Sequence, residues 1–250
     1  TQITALKISL EVIDSLLTDV NLEISTTGIR IREVNKTCKL FLSAYFSNDN
    51  FESFSLNKPF NCGIELSELV SVLKPTLHYD SLKIKILSEK SDEIPSVLVV
   101  ILESFKRNEL KSVRINLLPA CPNNCGNILD KVYSHSIIIP TDIFIKYLKD
   151  CSRISDRVRL VLSKKHFMIE SGDSNIQYNL NSSGSNNIGI TTECSSTITS
   201  KAEVMVRYLL QTSKLNNISE LTYVFLDQKE TQPIFRYNLG SLGILNLCLL

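Results

Sequence analysis

The sequence contains no tryptophan, has only 8 glycines in 250 residues, and shows no apolar run near the roughly 18 residues of a membrane-spanning helix. So little glycine leaves scarce material for a phosphate-binding loop, and neither a nucleophile elbow nor a pair of carboxylates around a histidine occurs. The first residues also lack the basic and apolar regions of a signal peptide. We therefore expect a soluble, intracellular protein that is not an enzyme, binds no membrane and needs no cofactor.

The sequence also lacks an excess of either charge, because 27 Lys and Arg stand against 26 Asp and Glu. A chain-wide basic excess is typical of many nucleic-acid binders, so any such contact here must depend on where individual cations lie. The 7 cysteines show no tight framework and indicate free thiols in a reducing compartment.

A metal site is weakly supported by the cysteine spacing. Cys121 and Cys125 are separated by three residues, and His135 lies ten residues further on. No second pair of Cys or His follows at a useful spacing, so we expect no metal. A small zinc-dependent or other enzyme remains the third functional hypothesis.

Many short segments rich in β-branched and aromatic residues make up the first half, such as NLEIST, GIRIRE, KLFLSAYF and SVLVVILESF. Turn formers separate them, including Thr26, Thr27 and Gly28, which predicts antiparallel strands rather than βαβ units. Four amphipathic helices are predicted, at about residues 10–19, at GIELSELVSVLK before Pro75, at TDIFIKYLKDC after Pro140, and at about residues 201–214.

The faces of two of these helices can be assigned from their apolar spacing. The third helix is expected to bury four apolar side chains, which are Ile143, Phe144, Tyr147 and Leu148. The fourth is expected to direct Val204, Tyr208 and Leu209 inward.

Residues 118–132 carry two prolines, a glycine and three asparagines without sustained periodicity, which predicts an exposed connector. On either side the same order of helix, strand, tight turn and strand recurs. The sequence therefore predicts an α+β protein with two similar domains, residues 1–117 and 133–250, joined by that connector.

Several stretches resemble the sliding DNA clamp family of proliferating cell nuclear antigen (PCNA) in order and spacing. They are GIRIREVN and CGIELSELVSVLK in the first half, and YSHSIIIPTDIFIKYLKDCSRISDRVRLVLSKKHFMI, MVRYLL, PIFRY and LGILNLCLL in the second. The resemblance implies the DNA-clamp fold, in which each domain has antiparallel sheets and two helices, and three subunits close head to tail into a ring.

In such a ring the helices line a hole around duplex DNA, which Lys and Arg bind without reading its sequence. The resemblance and the helical spacing together suggest six DNA-binding residues: Lys74, Lys146, Lys149, Arg153, Arg207 and Lys214. The first predicted helix departs from the family, because it offers Glu11, Asp14 and Asp19 and no cation. Either the protein is a homotrimer whose DNA contacts are concentrated in the second domain, or it belongs to a heterotrimer in which a sister subunit supplies the missing positive charge.

The resemblance also implies an apolar pocket beneath the connector, into which a short peptide of a partner protein fits. The matching positions are Val34, Leu40, Ile128, Pro233 and Leu247, with Gly126 and Asn127 as hydrogen-bonding residues. The subunit contact would join two edge strands, through Lys111, Val113 and Ile115 on one side and Ile176, Tyr178 and Leu180 on the other. The alternative for both sets is an ordinary place in the core or in an internal strand.

These resemblances imply a DNA polymerase processivity factor that tethers polymerases, a clamp loader and other replication or repair proteins. The expected location is the nucleus, or the replication site of a virus or of an organism without one. A subunit of a heterotrimeric checkpoint-type clamp is the alternative.

Overall fold

The computed structural model describes residues 2–88, 95–121, 133, 135–163, 166–171, 176–181, 189–191, 199–227 and 232–250. Within these ranges the protein is α+β, with four helices and antiparallel sheets, which confirms the predicted fold class. In the same ranges no helix has both the length and the apolarity that a membrane span requires.

The first half of the chain contains two helices and seven strands in the part that the structure describes. They are α1 (Gln2–Leu16), β1 (Asp19–Ser25), β2 (Gly28–Val34), β3 (Leu40–Ser47), β4 (Phe60–Glu65), α2 (Leu66–Leu73), β5 (Ser81–Leu87), β6 (Val97–Ser104) and β7 (Glu109–Asn116). Strand β1 pairs with both β2 and β4, and β6 pairs with both β5 and β7, in each case antiparallel.

The second half repeats this pattern of elements. Its described elements are β8 (His135–Pro140), α3 (Thr141–Ser152), β9 (Arg157–Leu162), β10 (His166–Ser171), β11 (Ile176–Asn181), β12 (Gly189–Thr191), β13 (Ser200–Met205), α4 (Val206–Gln211), β14 (Leu221–Leu226), β15 (Ile234–Asn238) and β16 (Gly243–Leu249). One sheet has the order β11-β10-β9-β13, and the strands β12, β8, β14, β15 and β16 are neighbours in that order.

The turn between β1 and β2 forms where the sequence predicted it, and its glycine is needed. Ser25 pairs with Gly28, and Gly28 has a φ of 142°. A Cβ atom built on Gly28 would lie 2.1 Å from the carbonyl oxygen of Phe46, so any side chain would both strain the backbone and collide.

The first helix begins eight residues earlier than the sequence predicted and ends before Asp19, which lies in β1. The expectation that it has no cation is therefore wrong, because α1 includes Lys7. The Lys7 ammonium donates a hydrogen bond to the carbonyl of Lys74, 2.9 Å away. The prediction failed because the apolar stripe was read only from Leu10 onwards, although Ala5 is also buried.

The predicted fourth helix, residues 201–214, is wrong over its first five residues, since Ser200–Met205 form β13 and pair with β9. Ala202 and Val204 are buried while the residues between them are exposed, which is the alternation of a strand. Helix α4 covers only Val206–Gln211, and Thr212–Asn217 continue as a 3₁₀ helix.

The third helix lies where predicted, but its buried face is rotated. Phe144 and Leu148 are buried as expected, whereas Ile145 and Cys151 replace Ile143 and Tyr147 as their neighbours. Phe144 stacks on Phe235 of β15 with ring centroids 5.9 Å apart.

The chain forms two compact units. The first consists of Thr1–Glu33, Ser43–Asn124 and Leu239–Gly243, and the second of Val34–Leu42, Cys125–Asn238 and Ile244–Leu250. Val34–Leu42 therefore belong to the second unit although they lie in the first half of the sequence. Leu239–Gly243 belong to the first unit although they lie in the second half. Residues 122–132 of the predicted connector lie outside the described residues.

Candidate functional site

The sheet of the second unit has two distinct faces. Phe235 of β15 packs on α3, and its cross-strand partner Leu247 must share that face, which we call the helix face. Ile234 and its partner Cys248 lie on the opposite face, which we call the open face.

An apolar cluster occupies the open face. Phe41, Ile234 and Cys248 are buried in it, and three half-buried side chains pack around them, which are Val34, Tyr133 and Phe225. The rings of Tyr133 and Phe225 have centroids 6.1 Å apart, and the guanidinium of Arg236 lies 5.0 Å from the centre of the Phe225 ring. The open face therefore carries an apolar surface with a cation at its border.

The structure separates the residues that the sequence suggested for peptide binding. Val34 belongs to the open-face cluster, and Pro233 adjoins Ile234 and accepts a hydrogen bond from Leu249. Leu40 and Leu247 are fully buried, and both lie on the helix face, one residue out of phase with Phe41 and Cys248. Gly126, Asn127 and Ile128 lie outside the described residues.

The sequence analysis missed Phe41, Phe225 and Cys248. Cys248 could have been found from the two-residue period of β15, in which Arg236 and Asn238 are exposed between buried neighbours. That period fixes which face Ile234 occupies, and Ile234 then points to Cys248 across the hairpin.

A pocket of about 200 Å³ lies beside Lys39, which precedes β3, and beside Leu249 and Leu250 at the end of β16. The Leu250 amide donates to the carbonyl of Lys39, 3.0 Å away, and these residues stand two positions from Cys248 and Phe41. The pocket is lined by the polar and charged residues Lys39, Arg157, Glu203 and Tyr208 and by the apolar residues Val204, Met205, Leu249 and Leu250.

Tyr208 connects the pocket to the neighbouring cations. Its hydroxyl accepts a hydrogen bond from the Arg207 guanidinium at 3.0 Å and lies 3.3 Å from the hydroxyl of Thr37. Burial by itself would raise the pKa of Tyr208, but hydrogen bonds with Thr37, Arg207 and Asn35, together with the charge of Arg207, lower it below its ordinary value. The Arg207 side chain is thus held against the rim of this pocket.

All six of the suggested DNA-binding cations are exposed. Lys146 and Lys149 lie one helical turn apart on α3, and Arg153 follows its last residue. Arg153 is 79% exposed and lies 3.6 Å from the Asp150 carboxylate, which is a weak surface pair. Lys214 lies in the 3₁₀ helix that follows α4.

The helices of the first unit carry acidic groups beside their cations. Burial, and then the nearby Glu65 carboxylate, raise the pKa of Asp14, while the ammonium of Lys74 opposes them. Lys74 therefore lies near the Asp14 carboxyl group, which is itself near Glu65.

The strands suggested for the subunit contact both lie at sheet edges. In the strand orders of the described residues, β7 ends the sheet β5-β6-β7 and β11 ends the sheet β11-β10-β9-β13. Of the β7 residues, Ile115 is buried and Lys111 and Val113 are half-buried, whereas Leu110 on the other face is 65% exposed. Ile176, Tyr178 and Leu180 lie in β11, which pairs with β10 through Ser171 and Ile176 at one end.

The start of the predicted connector is attached to the first unit. Asn21 donates from its amide nitrogen to the Cys121 carbonyl at 3.1 Å and accepts from the Cys121 amide at 2.9 Å. The Glu33 carboxylate in turn accepts from the Asn21 backbone amide and side chain, at 3.0 and 2.6 Å. Gly63 and Leu118 exchange two backbone hydrogen bonds of 2.8 Å beside them.

Metal-ligating residues do not converge in the part of the chain that the structure describes, where no three His, Cys, Asp or Glu side chains are grouped to hold an ion. His135 is buried in β8, and its Nδ1 lies 2.8 Å from the Ser200 hydroxyl. Cys121 is exposed, and Cys125 lies outside the described residues.

Comparisons with known proteins agree with the fold. Residues 1–120 match the family model described as proliferating cell nuclear antigen, N-terminal domain. The protein named proliferating cell nuclear antigen of Dictyostelium discoideum is 26% identical over 254 residues, which cover 99% of this chain and 95% of that protein. The probable DNA polymerase sliding clamp 1 of Paramecium bursaria Chlorella virus 1 is 22% identical, over 92% of this chain and 86% of its own.

Proposed function

The chain is a member of the PCNA-like sliding-clamp family, and from this premise we propose that it forms a homotrimeric ring around duplex DNA and tethers replication proteins to it. Clamps of this family are processivity factors without catalytic activity, and nothing in the comparisons favours a checkpoint-type clamp instead. The ring would act in the nucleus, or at the replication site of a virus.

The open-face cluster is the observation that carries the tethering role. An exposed apolar surface bordered by polar residues is typical of a protein-binding site. Val34, Tyr133 and Phe225 present half-buried apolar surface around a buried floor, and an apolar plug would cover them. The docking site then consists of this cluster and Pro233, with Gly126, Asn127 and Ile128 contributing from the connector.

The ring itself would close through strand edges. Both β7 and β11 have one side without a neighbour in the strand orders of the described residues, and such edges pair readily with another chain. Head-to-tail pairing of β7 in one copy with β11 in the next would cover both edges in every copy. The predicted domains, 1–117 and 133–250, would be the repeating units of that ring.

A peptide that carries a Gln and two aromatic residues tests the docking site. We expect Val34→Asp to weaken its binding at least about tenfold, because an unpaired carboxylate would be desolvated under the plug. Affinity is measured by fluorescence polarisation, with thermal melting of each variant to verify folding.

Ile244→Asp is the matched control. Ile244 is 38% exposed and lies on the open face of β16, four residues from Cys248, a distance of about 13 Å along a strand. Equal affinities of the wild type and Val34→Asp would contradict docking at the cluster.

A further inference from the structure

The sheet β5-β6-β7 of the first unit has one buried face and one exposed face. Leu98, Val100 and Leu102 of β6 are buried and mark the first of these. The residues between them point the other way, and each has partners on β5 and β7 that share its face. The rows of partners on that exposed face, which we call the basic face, are Leu87 with Val97 and Asn116, Lys85 with Val99 and Arg114, Lys83 with Ile101 and Ser112, and Ser81 with Glu103 and Leu110.

An apolar stripe runs along the middle of the basic face. Val97, Val99 and Ile101 of β6 form it, and Val99 is only 8% exposed although it points away from the core. Its cross-strand partners Lys85 and Arg114 carry long aliphatic stems, which shield such a neighbour from water on both sides.

Cations border this stripe on both sides. Lys83 and Lys85 lie on β5, Arg114 lies on β7, and all of them are exposed. Glu103 is the one acid in these rows, and it already accepts hydrogen bonds from Lys83 at 3.1 Å and Ser81 at 2.9 Å. These bonds lower the pKa of Glu103, which keeps it ionised and paired with Lys83. The basic face therefore carries a net positive charge around an apolar centre.

The dimensions of the basic face indicate the class of its partner. Neighbouring strands lie about 4.8 Å apart, so the cations of β5 and β7 stand about 10 Å from each other across the stripe. An α-helix with its side chains is about 10 to 12 Å wide, and the stripe from Val97 to Ile101, about 13 Å long, matches about nine helical residues. The exposed leucines Leu87 and Leu110 extend this apolar surface at diagonally opposite corners.

Nucleic acid fits this face less well than a helix does. Phosphates require polar surroundings, and unpaired bases bind by stacking on aromatic side chains, which none of the rows contains. A helix with an apolar stripe and acidic flanks matches both the apolar centre and the cationic borders.

We propose that the basic face docks an amphipathic helix of a partner protein, whose apolar residues lie along Val97, Val99 and Ile101 and whose acidic side chains pair with Lys85 on one flank and Arg114 on the other. The face belongs to the first unit, whereas the open-face cluster belongs to the second, so the two sites would take different partner segments. Pairing of β7 with another copy would use its backbone edge and leave the basic face accessible.

Two helical peptides that differ only in their flanks test this docking. Both are alanine-rich helices of about 15 residues with leucine at positions i, i+3, i+4 and i+7, and the flanking positions carry Glu in one and Gln in the other. Binding to the full chain is measured by fluorescence polarisation at low and high NaCl concentration. At low salt we expect the Glu peptide to bind about tenfold more tightly, as for several exposed ion pairs acting together, and high salt should remove most of this difference.

Lys85→Glu together with Arg114→Glu should abolish the preference for the Glu peptide. Lys58→Glu together with Lys201→Glu is the control for net charge, because both lysines are exposed and lie outside the rows of the basic face. Thermal melting verifies the folding of each variant. If the charge-reversed variant melts at a lower temperature than the wild type, Lys85→Gln together with Arg114→Gln takes its place.

Failure of both helical peptides to bind, equal affinities for them, or a preference for Glu that survives the loss of both cations would overturn the proposal. The peptide with a Gln and two aromatic residues should bind the charge-reversed variant as it binds the wild type, so failure at the open-face cluster is detected separately. Weaker binding of a short DNA duplex together with an unchanged peptide preference would assign Lys85 and Arg114 to nucleic acid and contradict docking of a helix.

Discussion

The hydroxyl of Tyr237 is enclosed in the core of the second unit, where it lies 3.1 Å from the Thr212 hydroxyl. Burial raises the pKa of Tyr237 to about 12, although hydrogen bonds with Thr212 and Thr222 act in the opposite direction. Burial disfavours the charged phenolate, so the folded protein holds this proton more tightly than the unfolded chain does.

The stability contributed by this proton should be lost at high pH. It is complete below the unfolded pKa of 10.0 and falls as the pH rises towards 12, with a slope of up to about 1.4 kcal/mol per pH unit for one proton. Tyr237→Phe should remove this part of the pH dependence, measured as the free energy of unfolding in urea between pH 9 and pH 12. Tyr223→Phe, on the open face, is the control, and equal slopes in the wild type and Tyr237→Phe would contradict the prediction.

The sequence could not show which residues of β3 lie on which face of the sheet. In KLFLSAYF, five consecutive residues from Leu40 to Ala44 are buried, because both faces of β3 are covered. A strand buried on both sides shows no alternation, so Leu40 and Phe41 are equally good candidates from the sequence. Only the pairing of Ile234 with Cys248 on a neighbouring strand assigns Phe41 to the open face.

At the scale of elements, order was predictable and boundaries were not. The helices before Pro75 and after Pro140 lie where their proline and apolar signals placed them. Residues 201–205 were read as the start of a helix because Val204 was taken to share an inward face with Tyr208 and Leu209. Pairing with β9 buries Ala202 and Val204 in a sheet instead, and this long-range contact outweighs the local preference.

Helix α3 should contribute directly to DNA binding. We expect Lys146→Gln together with Lys149→Gln to lower affinity for a random duplex and to reduce the slope of log K against log salt concentration by about 0.9 for each phosphate contact removed. Binding is measured by fluorescence anisotropy over a series of NaCl concentrations.

Lys201→Gln is the control for net charge, because Lys201 is exposed on β13 of the same unit. If the wild type and the α3 double variant have equal slopes of log K against log salt concentration, the phosphate contacts are made by other residues.

For the whole molecule, the order of helix, strand, tight turn and strand recurs in both halves of the sequence, and the structure describes two α-helices in each half. The sequence did not predict that Val34–Leu42 belong to the second unit and Leu239–Gly243 to the first. This assignment depends on which strands become neighbours and not on any local pattern.

Assembly into a ring should give a solution mass of three chains, each of 28.2 kDa. Light scattering over a concentration series measures it. Leu110→Asp, at an exposed position of edge strand β7, should lower the mass to that of one chain without lowering the melting temperature, because the change meets only the neighbouring copy.

Leu87→Asp changes an exposed leucine on β5, at the opposite edge of the same sheet, and should leave the trimer intact. A wild-type mass of one chain at every concentration would rule out a ring made of this subunit alone.

The contacts that hold the start of the connector, at Cys121 and at Gly63, differ in the substitutions that they allow. Asn21 holds only the backbone of Cys121, so position 121 is free to drift to any residue that keeps its amide proton, with proline excluded. At Gly63 a Cβ atom would come within 3.0 Å of the Pro119 carbonyl oxygen and 3.1 Å of the Leu118 Cβ. The contact at Cys121 therefore permits substitution at the start of the connector, whereas the contact at Gly63 restricts substitution in β4, and both preserve the path of the connector backbone.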